Sequence, residues 1–455
     1  AQNWRLAYWR AARDMLGYRR FFEISDLVGV RVEDETVFDD VHRFLFELVE
    51  NGQVDGVRVD HVDGLADPGG YLDRLATSIP RPVPIWVEKI LERDERLPVD
   101  WPVAGATGYE SLAMTSAVLT NAGALPELDR AYEAFVGSRC DYRAMRDSAK
   151  REDLTRNLAA ELAELDAMMQ HAFETDPAQR DSGPDRLRRA VIALLVSMPV
   201  YRTYFGSAGG TADDEAIFEN VVETARHDSG LDDPTVVDDV SDCLNAPRNS
   251  SARAFRVRFQ QVSGALMAKA VEDTLFYRFN RLVSANEVGA DPGTPTIDPE
   301  DFHAFATARA ESHPMALNAT ATHDTKRGED ARMRIAAISE APERWIAAVD
   351  AFEDIFVADP DVPDIDSNMR WLFYQALVGS WVPGLGDVLL ERTRDFLLKA
   401  ARESKVLTSW VKTDQDYEAR LEQFVERAMA SGAFVRSFAE HADVFVGIGH
   451  RKSLA

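Results

Sequence analysis

Short runs of apolar residues that end in polar ones are the first pattern along this chain. Residues 56–59 alternate as in a half-buried strand, and Asp60 and His61 follow them directly. Residues 83–87 form a second apolar run among prolines, and Glu88 follows that run. Residues 39–50 have the period of an amphipathic helix. Strand and helix signals at this spacing predict parallel α/β units.

Helical periodicity dominates two long stretches. Between about 124 and 250, apolar residues recur at 154, 158, 162, 165 and 169, which predicts one face of a buried helix. Pro184 is well placed to open the next helix, and residues 190–200 are apolar enough for a buried one. Acidic loops are expected at 212–215 and 232–234. Residues 341–440 are predicted to be helical again, with breaks at the prolines 360, 363 and 383.

A third carboxylate follows another apolar segment. Residues 286–299 are rich in glycine and proline and predict a loop. Residues 317–322 are then predicted to form a short buried strand that delivers His323 and Asp324 into a polar loop.

Composition narrows the class of protein. The 455 residues suggest two to four structural units or one large elaborated domain, and 45% apolar residues allow a sizeable core. Acidic residues outnumber basic ones by 77 to 51, a net charge of −26, which argues against nucleic acid or an anionic membrane as partner. Two cysteines, Cys140 and Cys243, form no disulfide framework and favour a reducing cytoplasm. No apolar run of about 18 residues predicts a transmembrane helix.

The three strand-end acids carry the candidate chemistry. On a parallel barrel, Asp60 and Glu88 would emerge at the same mouth, one strand–helix–strand step apart. Glycosidic chemistry needs two such carboxyls, one ionised and one protonated. Arg58 would favour ionised Asp60, and apolar neighbours would help Glu88 stay protonated. Taken singly, Asp60 beside Arg58 is more typical of a salt bridge than of a nucleophile, Glu88 of an exposed strand end, and the pair of His323 and Asp324 of a cap or turn.

The residues around these acids resemble the α-amylase superfamily of glycoside hydrolases. Val57-Arg58-Val59-Asp60-His61 resembles its nucleophile motif, Val87-Glu88-Lys89 its acid/base motif and Thr322-His323-Asp324 its third-acid motif.

Longer segments narrow the resemblance to the maltooligosyl trehalose synthase family within that superfamily. They are spread over nearly the whole chain: Tyr18-Arg19-Arg20-Phe21-Phe22, Val87-Glu88-Lys89-Ile90-Leu91, Gly105-Ala106-Thr107-Gly108-Tyr109, Met267-Ala268-Lys269-Ala270-Val271-Glu272-Asp273-Thr274, Thr322-His323-Asp324-Thr325-Lys326-Arg327-Gly328-Glu329-Asp330 and Thr408-Ser409-Trp410. Departures from the family pattern are Ala106, Glu110 and Ala270.

The resemblance implies an α/β fold, namely a partial (β/α)8 TIM barrel with large α-helical insertions. Residues 1–123 would carry the middle barrel strands, 124–254 a helical insertion and 255–340 later strands. Residues 341–440 would form a second insertion, and 441–455 a truncated return to the barrel. The family has further barrel strands before and after these positions, so the chain is expected to be an internal fragment.

The resemblance also implies the roles of the site residues. Asp60 would be the nucleophile, Glu88 the general acid/base and Asp324 the residue that stabilises the transition state. The expected substrate contacts are Arg58, His61, Tyr109, His323, Lys326 and Arg327. No cofactor and no metal are expected.

The implied activity is intramolecular transglucosylation by a retaining double displacement. The reducing-end α-1,4 bond of a maltooligosaccharide or glycogen-derived α-1,4-glucan would become an α,α-1,1 bond. A maltooligosyl trehalose trehalohydrolase would be the functional partner in the cytoplasm, with no nucleic acid and no membrane involved. An α-amylase-type hydrolase, a 4-α-glucanotransferase and a non-catalytic glucan-binding fragment are the alternatives.

Overall fold

Helices dominate the fold, and the strands are few and short. A computed structural model describes residues 5–174, 182–206 and 209–455. These residues fall into two units. The first contains the described residues of Ala1–Thr107, Arg146–Val271 and Arg309–Leu317, and the second consists of Gly108–Met145, Glu272–Ala308 and Asn318–Ala455.

The described residues of the first unit form five strands. β1 (Arg20–Phe21) and β2 (Ile24–Val28) form an antiparallel hairpin. β3 (Val57–Val59), β4 (Ile85–Val87) and β5 (Gly105–Ala106) form a parallel sheet in that order. The strands predicted at 56–59 and 83–87 are therefore confirmed, each shortened at its N-terminal end.

Two helices accompany this sheet. Glu35–Glu50 precedes β3, and Pro68–Ser78 connects β3 to β4 as in a parallel α/β unit. Asp34 caps the N-terminus of the helix Glu35–Glu50, and its carboxylate accepts a hydrogen bond from the Thr36 N–H at 3.0 Å. The amphipathic helix predicted at 39–50 is confirmed and begins four residues earlier. The sheet and both helices share one apolar core: Phe38, Val57, Val59, Val62, Leu72, Leu75, Ile85, Val87, Leu91, Leu97, Trp101 and Ala106.

The remainder of the first unit is mainly helical. Its helices are Ala12–Met15, most of Tyr142–Arg156, Ala159–Glu174, Pro184–Ser197, Ala212–Arg226, Thr235–Asn245 and Ser250–Leu266. Pro184 opens its helix, as predicted. Apolar side chains of the helices between Tyr142 and Leu266 form a second buried core.

The predicted apolar stripe from 154 to 169 is buried but does not lie on one helix. All five side chains are fully buried, which confirms their core position. The helix breaks at Asn157 and Leu158, so the stripe spans Tyr142–Arg156 and Ala159–Glu174. The Arg20 guanidinium donates to the Asn157 carbonyl at 2.9 Å and pairs with Glu161. A side chain from a distant strand thus satisfies the carbonyl that a continuous helix would have used.

The acidic loop predicted at 212–215 is wrong, because these residues form the first turn of the helix Ala212–Arg226. The Thr211 hydroxyl accepts from the Asp214 N–H at 3.1 Å, and the Asp214 carboxylate accepts from the Thr211 N–H at 2.9 Å. This capping box satisfies two backbone donors, and acids in a first turn complement the helix dipole. The acidic loop at 232–234 is confirmed.

The second unit is helical throughout its described elements. Its α-helices are Tyr109–Val118, Leu125–Val136, most of Pro299–Ser312, Glu329–Ala336, Pro342–Val357, Ser367–Ser380, Gly386–Ser404, Gln415–Ala430 and Gly432–Ser453. The predicted breaks at prolines 360, 363 and 383 are confirmed, as is the loop from 286 to 298. Aromatic side chains dominate this core; Trp345 and Trp371, for example, meet edge to face at 5.5 Å.

The strand predicted at 317–322 is wrong. Leu317 makes one sheet-like contact, because its N–H donates to the Ala106 carbonyl at 3.2 Å in the first unit. The residues from 318 onward form no strand. Thr322 and Thr325 instead close a local turn, in which the Thr325 hydroxyl donates to the Thr322 carbonyl at 2.8 Å. Threonine hydroxyls that bond the nearby backbone compete with strand pairing.

Candidate active site

Asp60 and Glu88 leave the same end of the parallel sheet. Val59 pairs with Val87 in register, and each acid is the next residue of its strand. The Glu88 N–H donates to the Val59 carbonyl at 2.7 Å, so the ladder continues to this point. Adjacent parallel strands lie about 4.8 Å apart. The sheet therefore brings two carboxyl groups from neighbouring strands to one edge.

Arg58 and Asp60 form an ion pair at that edge. Successive side chains alternate between the faces of a strand, so these two project to the same face. Arg58 Nη1 lies 2.5 Å from Asp60 Oδ1, and the two side chains are 35% and 60% exposed. An ion pair this exposed contributes little to folding stability. Its main effect is to orient the Asp60 carboxylate.

His61 adopts a left-handed backbone conformation with φ of 49°, which few side chains other than glycine adopt without cost. This conformation points its N–H at Glu88, and the nitrogen lies 2.5 Å from Glu88 Oε2. The His61 ring packs against Phe22 with 4.6 Å between ring centroids. Burial lowers the pKa of His61, which favours the neutral imidazole. The backbone after the Asp60 strand thus holds the Glu88 carboxyl.

Gly64 leaves room for the His61 ring. A Cβ atom at position 64 would lie 2.5 Å from His61 Nε2. We therefore expect Gly64→Ala to displace the imidazole and lower the free energy of unfolding by about 1–3 kcal/mol, as overpacking does. Urea denaturation measures this change, and the ring position can be followed by NMR. At Gly447, in the helix Gly432–Ser453, an added Cβ would meet no described atom within 4 Å. Gly447→Ala is the control, and an equal response of both variants would contradict the expectation.

A buried group of charged side chains lies next to the segments that carry Asp60 and Glu88. This group was not predicted from the sequence. Lys89 follows Glu88, and its Nζ lies 3.3 Å from Asp63 Oδ2 and 2.7 Å from Glu95 Oε1. All three side chains are at most 5% exposed. The Tyr204 hydroxyl donates to Asp63, and the buried Arg202 donates to the Asp63 carbonyl at 2.8 Å. Two features of the sequence could have indicated this group: Lys89 comes directly after Glu88, and Asp63 and Gly64 follow shortly after Asp60.

Asp324 has its own set of partners in the second unit. The Tyr109 hydroxyl donates to Asp324 Oδ2 at 3.2 Å and lies 3.0 Å from the Thr322 hydroxyl. His323 Nε2 lies 3.1 Å from the same Asp324 oxygen, and the Asp324 side chain is 47% exposed. Tyr109 itself is buried. It therefore orients Asp324 within this unit through its hydroxyl.

Lys326 and Arg327 are engaged with acidic residues of the same unit. Lys326 Nζ lies 2.9 Å from Asp273 Oδ1. Burial disfavours the charged amine, but Asp273, Tyr277 and Glu272 together outweigh burial and raise the pKa of Lys326. The backbone N–H groups of Lys326 and Arg327 donate to Glu287 at 2.6 and 3.2 Å. These contacts fix the loop after Asp324.

The structure therefore places the sequence-predicted residues in two groups. Arg58, Asp60, His61 and Glu88 lie together in the first unit. The second unit holds the remainder: Tyr109, His323, Asp324, Lys326 and Arg327. Their roles toward a substrate stay predictions.

Two general features of the described residues complete the site. They contain no group of three or more His, Cys, Asp or Glu side chains arranged to hold a metal ion. None of the described helices combines the length and apolar character that a membrane span requires.

The sequence matches curated proteins over most of its length. It is 36% identical over 425 residues to a protein of Mycobacterium tuberculosis provisionally named a maltooligosyl trehalose synthase, found in two strains. The match covers 92% of this chain and 51% of the relative. The chain thus spans about half the length of the curated relatives it matches. No protein-family model matches the sequence.

Solved structures give the same result. The maltooligosyltrehalose synthase of Arthrobacter ramosus superposes with a TM-score of 0.86 at 35% identity, covering 98% of this chain and 55% of that one. A structure from Sulfolobus tokodaii, described as a hypothetical maltooligosyl trehalose synthase, superposes with a TM-score of 0.79 at 31% identity. It covers 96% of this chain and 54% of its own. The helix-rich fold is therefore that of these structures over nearly the whole chain.

Proposed function

We propose that this chain, a homologue of maltooligosyl trehalose synthases over nearly its whole length, carries the catalytic acids of such an enzyme. The reaction converts the α-1,4 bond at the reducing end of a maltooligosaccharide into an α,α-1,1 bond. One observation carries the proposal: Asp60 and Glu88 leave neighbouring parallel strands in register, and the His61 N–H holds Glu88.

Asp60 acts as the nucleophile in the first step. Its carboxylate attacks the anomeric carbon of the glucosyl unit next to the reducing end, with Arg58 orienting it. Glu88 donates its proton to the departing glycosidic oxygen. The C–O bond to the terminal glucose breaks, a glycosyl ester on Asp60 forms, and the configuration inverts.

In the second step the glycosyl group on Asp60 is transferred to the released glucose rather than to water. The released glucose stays in the site and turns, so that its anomeric hydroxyl faces the ester. Glu88, now ionised, removes the proton of this hydroxyl, and the oxygen displaces Asp60 with a second inversion. Holding glucose beside the ester raises its effective concentration far above that of competing water. The product is a maltooligosyl trehalose.

The other predicted residues complete the proposal. Asp324 binds hydroxyls of the reacting sugar, and the hydroxyl of Tyr109 orients Asp324. His61 supports Asp60, His323 contacts the same sugar as Asp324, and Lys326 and Arg327 are contacts for the reducing end. These roles rest on the resemblance of the motifs at these positions.

The parallel order of β3, β4 and β5 supports a (β/α)8 barrel as the framework of the whole enzyme. In that barrel, residues 1–123 supply the strands β3, β4 and β5, and 124–254 and 341–440 supply helical insertions. Residues 255–340, predicted to carry later strands, contain no strand in the structure. We also expect the enzyme to act in the cytoplasm, with a trehalohydrolase consuming its product.

Product analysis of maltopentaose tests the proposed reaction. The intact protein should remove reducing ends while the mass of the pentasaccharide stays unchanged, because the bond is moved and not hydrolysed. Mass spectrometry and a reducing-end assay measure both quantities, with boiled protein as control. An increase in reducing ends would indicate a hydrolase, and a ladder of longer and shorter glucans a glucanotransferase. Binding without turnover would indicate a glucan-binding protein; each of these three results contradicts the proposal.

A further inference from the structure

The loop after Asp60 and the loop after Glu88 are joined by a buried cation. Lys89 is the residue after Glu88, and its Nζ contacts Asp63, three residues after Asp60, at 3.3 Å. The same Nζ contacts Glu95 at 2.7 Å and donates to the Ile90 carbonyl at 2.8 Å. A single ammonium group thus connects the two segments that present the acids.

The second carboxylate oxygen and the backbone carbonyl of Asp63 are bound by residues of the helical part of the same unit. The Tyr204 hydroxyl donates to Asp63 Oδ1, and the Arg202 guanidinium donates to the carbonyls of Asp63 and Leu65, each at 2.8 Å. The Tyr204 ring packs edge to face on Trp101 at 5.0 Å between centroids. The position of Asp63 is therefore determined on several sides.

The charges in this cluster balance. Lys89 and Arg202 supply two positive charges, and Asp63 and Glu95 supply two negative ones. Burial alone would lower the pKa of Lys89, but the two carboxylates hold its pKa above the usual value. Compared with apolar packing, a buried, charge-balanced cluster adds little net stability. In this cluster the contacts of Lys89 and Arg202 restrict the position of Asp63. The cluster lies between the segments that follow Asp60 and Glu88, so it bears on the relative placement of these two acids.

We propose that Lys89, through its buried contacts with Asp63 and Glu95, is the positioning residue that sets the placement of Glu88 relative to Asp60. This inference rests on the proposed roles of these two acids. A retaining displacement requires its two carboxyls about 5–5.5 Å apart, and a displacement of about 1 Å lowers the rate by on the order of a hundredfold. The cluster would act on this separation from buried positions, since the side chains of Lys89, Asp63 and Glu95 are at most 5% exposed.

Lys89→Met in the intact protein is the first test. We expect kcat for disappearance of maltopentaose to fall about a hundredfold, with KM nearly unchanged, since binding contacts stay in place. Loss of the buried positive charge next to Glu88 should raise the pKa of Glu88, so the alkaline limb of the pH profile should move to higher pH.

Lys150→Met is the matched control. Lys150 is equally buried in the same unit, and its Nζ donates to the carbonyls of Val196 and Met198 at 3.3 and 2.6 Å. This variant should lower Tm while its kcat and pH profile stay close to wild type. Equal losses of kcat in the two variants would overturn the proposal.

The double variant Lys89→Met/Glu95→Gln separates positioning from stability. It removes one positive and one negative charge, so the balance is restored while the link to Asp63 stays broken. Tm should recover and kcat should stay low; recovery of both would overturn the proposal. Should Lys89→Met fail to fold, Tyr204→Phe decides, because a lower kcat at unchanged Tm supports positioning and an unchanged kcat contradicts it.

The outcomes distinguish this inference from the proposed reaction. Disappearance of maltopentaose reports bond cleavage whether the product is a trehalose or a shorter glucan. A hydrolase whose Lys89→Met variant loses kcat would refute the proposed function and keep the positioning role. A synthase whose Lys89→Met variant behaves as Lys150→Met does would refute only the positioning role.

Discussion

Asp60→Asn should lower kcat on maltopentaose by on the order of 10⁴-fold or more, as loss of a covalent nucleophile from a catalytic unit does. The amide cannot form the glycosyl ester, and the nearby Asp63 is buried and paired with Lys89. Folding should be nearly unaffected, because the Asp60 side chain is 60% exposed and its ion pair with Arg58 is worth little. Steady-state kinetics and thermal unfolding measure the two effects.

Asp55→Asn is the control for this prediction. Asp55 precedes the other end of the same strand, is 91% exposed and pairs with Arg81 at 2.9 Å. It carries the same substitution and an exposed ion pair, but it lies away from Glu88 along the strand. This variant should keep wild-type turnover. Normal turnover by Asp60→Asn would show that Asp60 is not the nucleophile.

Glu88→Gln should lower kcat on maltopentaose by about 10²–10⁴-fold, the usual contribution of general acid–base catalysis. The amide still accepts the His61 N–H but cannot protonate the departing oxygen. A maltosyl fluoride needs no such proton, because fluoride leaves as an anion. The first step with this substrate should therefore stay fast, and the glycosyl ester on Asp60 should accumulate. Intact-protein mass spectrometry detects the added maltosyl mass.

The contrast between the two substrates makes this test specific. A variant that is merely misfolded would lose both activities together. Glu50→Gln, at the exposed end of the helix Glu35–Glu50, should keep both. If Glu88→Gln lowered kcat on the maltosyl fluoride as much as on maltopentaose, Glu88 would not be the general acid.

The strand ends were predictable because their signal is local. Apolar alternation marks β3 and β4, and the residue after each strand is read directly from the sequence. The similarity of the chain as a whole to maltooligosyl trehalose synthases is confirmed by the comparisons, and the roles of the motif residues stay predictions. The helix break at Asn157 was not predictable, since it depends on Arg20, a residue far away in the sequence.

The buried cluster escaped prediction for the same physical reason. A lysine beside a strand is ordinarily solvated, and periodicity carries no information on its partners. Lys89 becomes buried only because Asp63 and Glu95 approach it, and Asp63 is held in turn by Arg202 and Tyr204 from the helical part. The left-handed backbone at His61 was equally hidden, because histidine, although enriched at positive φ, adopts other conformations far more often.

That backbone conformation restricts how position 61 can change over evolution. With φ of 49°, the site penalises β-branched residues and favours glycine, asparagine and aspartate. An ancestral exchange to asparagine would retain the N–H that holds Glu88 and discard only the imidazole, whereas an exchange to valine would endanger both. The imidazole at position 61 can therefore be lost in evolution while the backbone hydrogen bond to Glu88 is kept. This requires that every intermediate sequence has a residue at position 61 that tolerates the left-handed conformation.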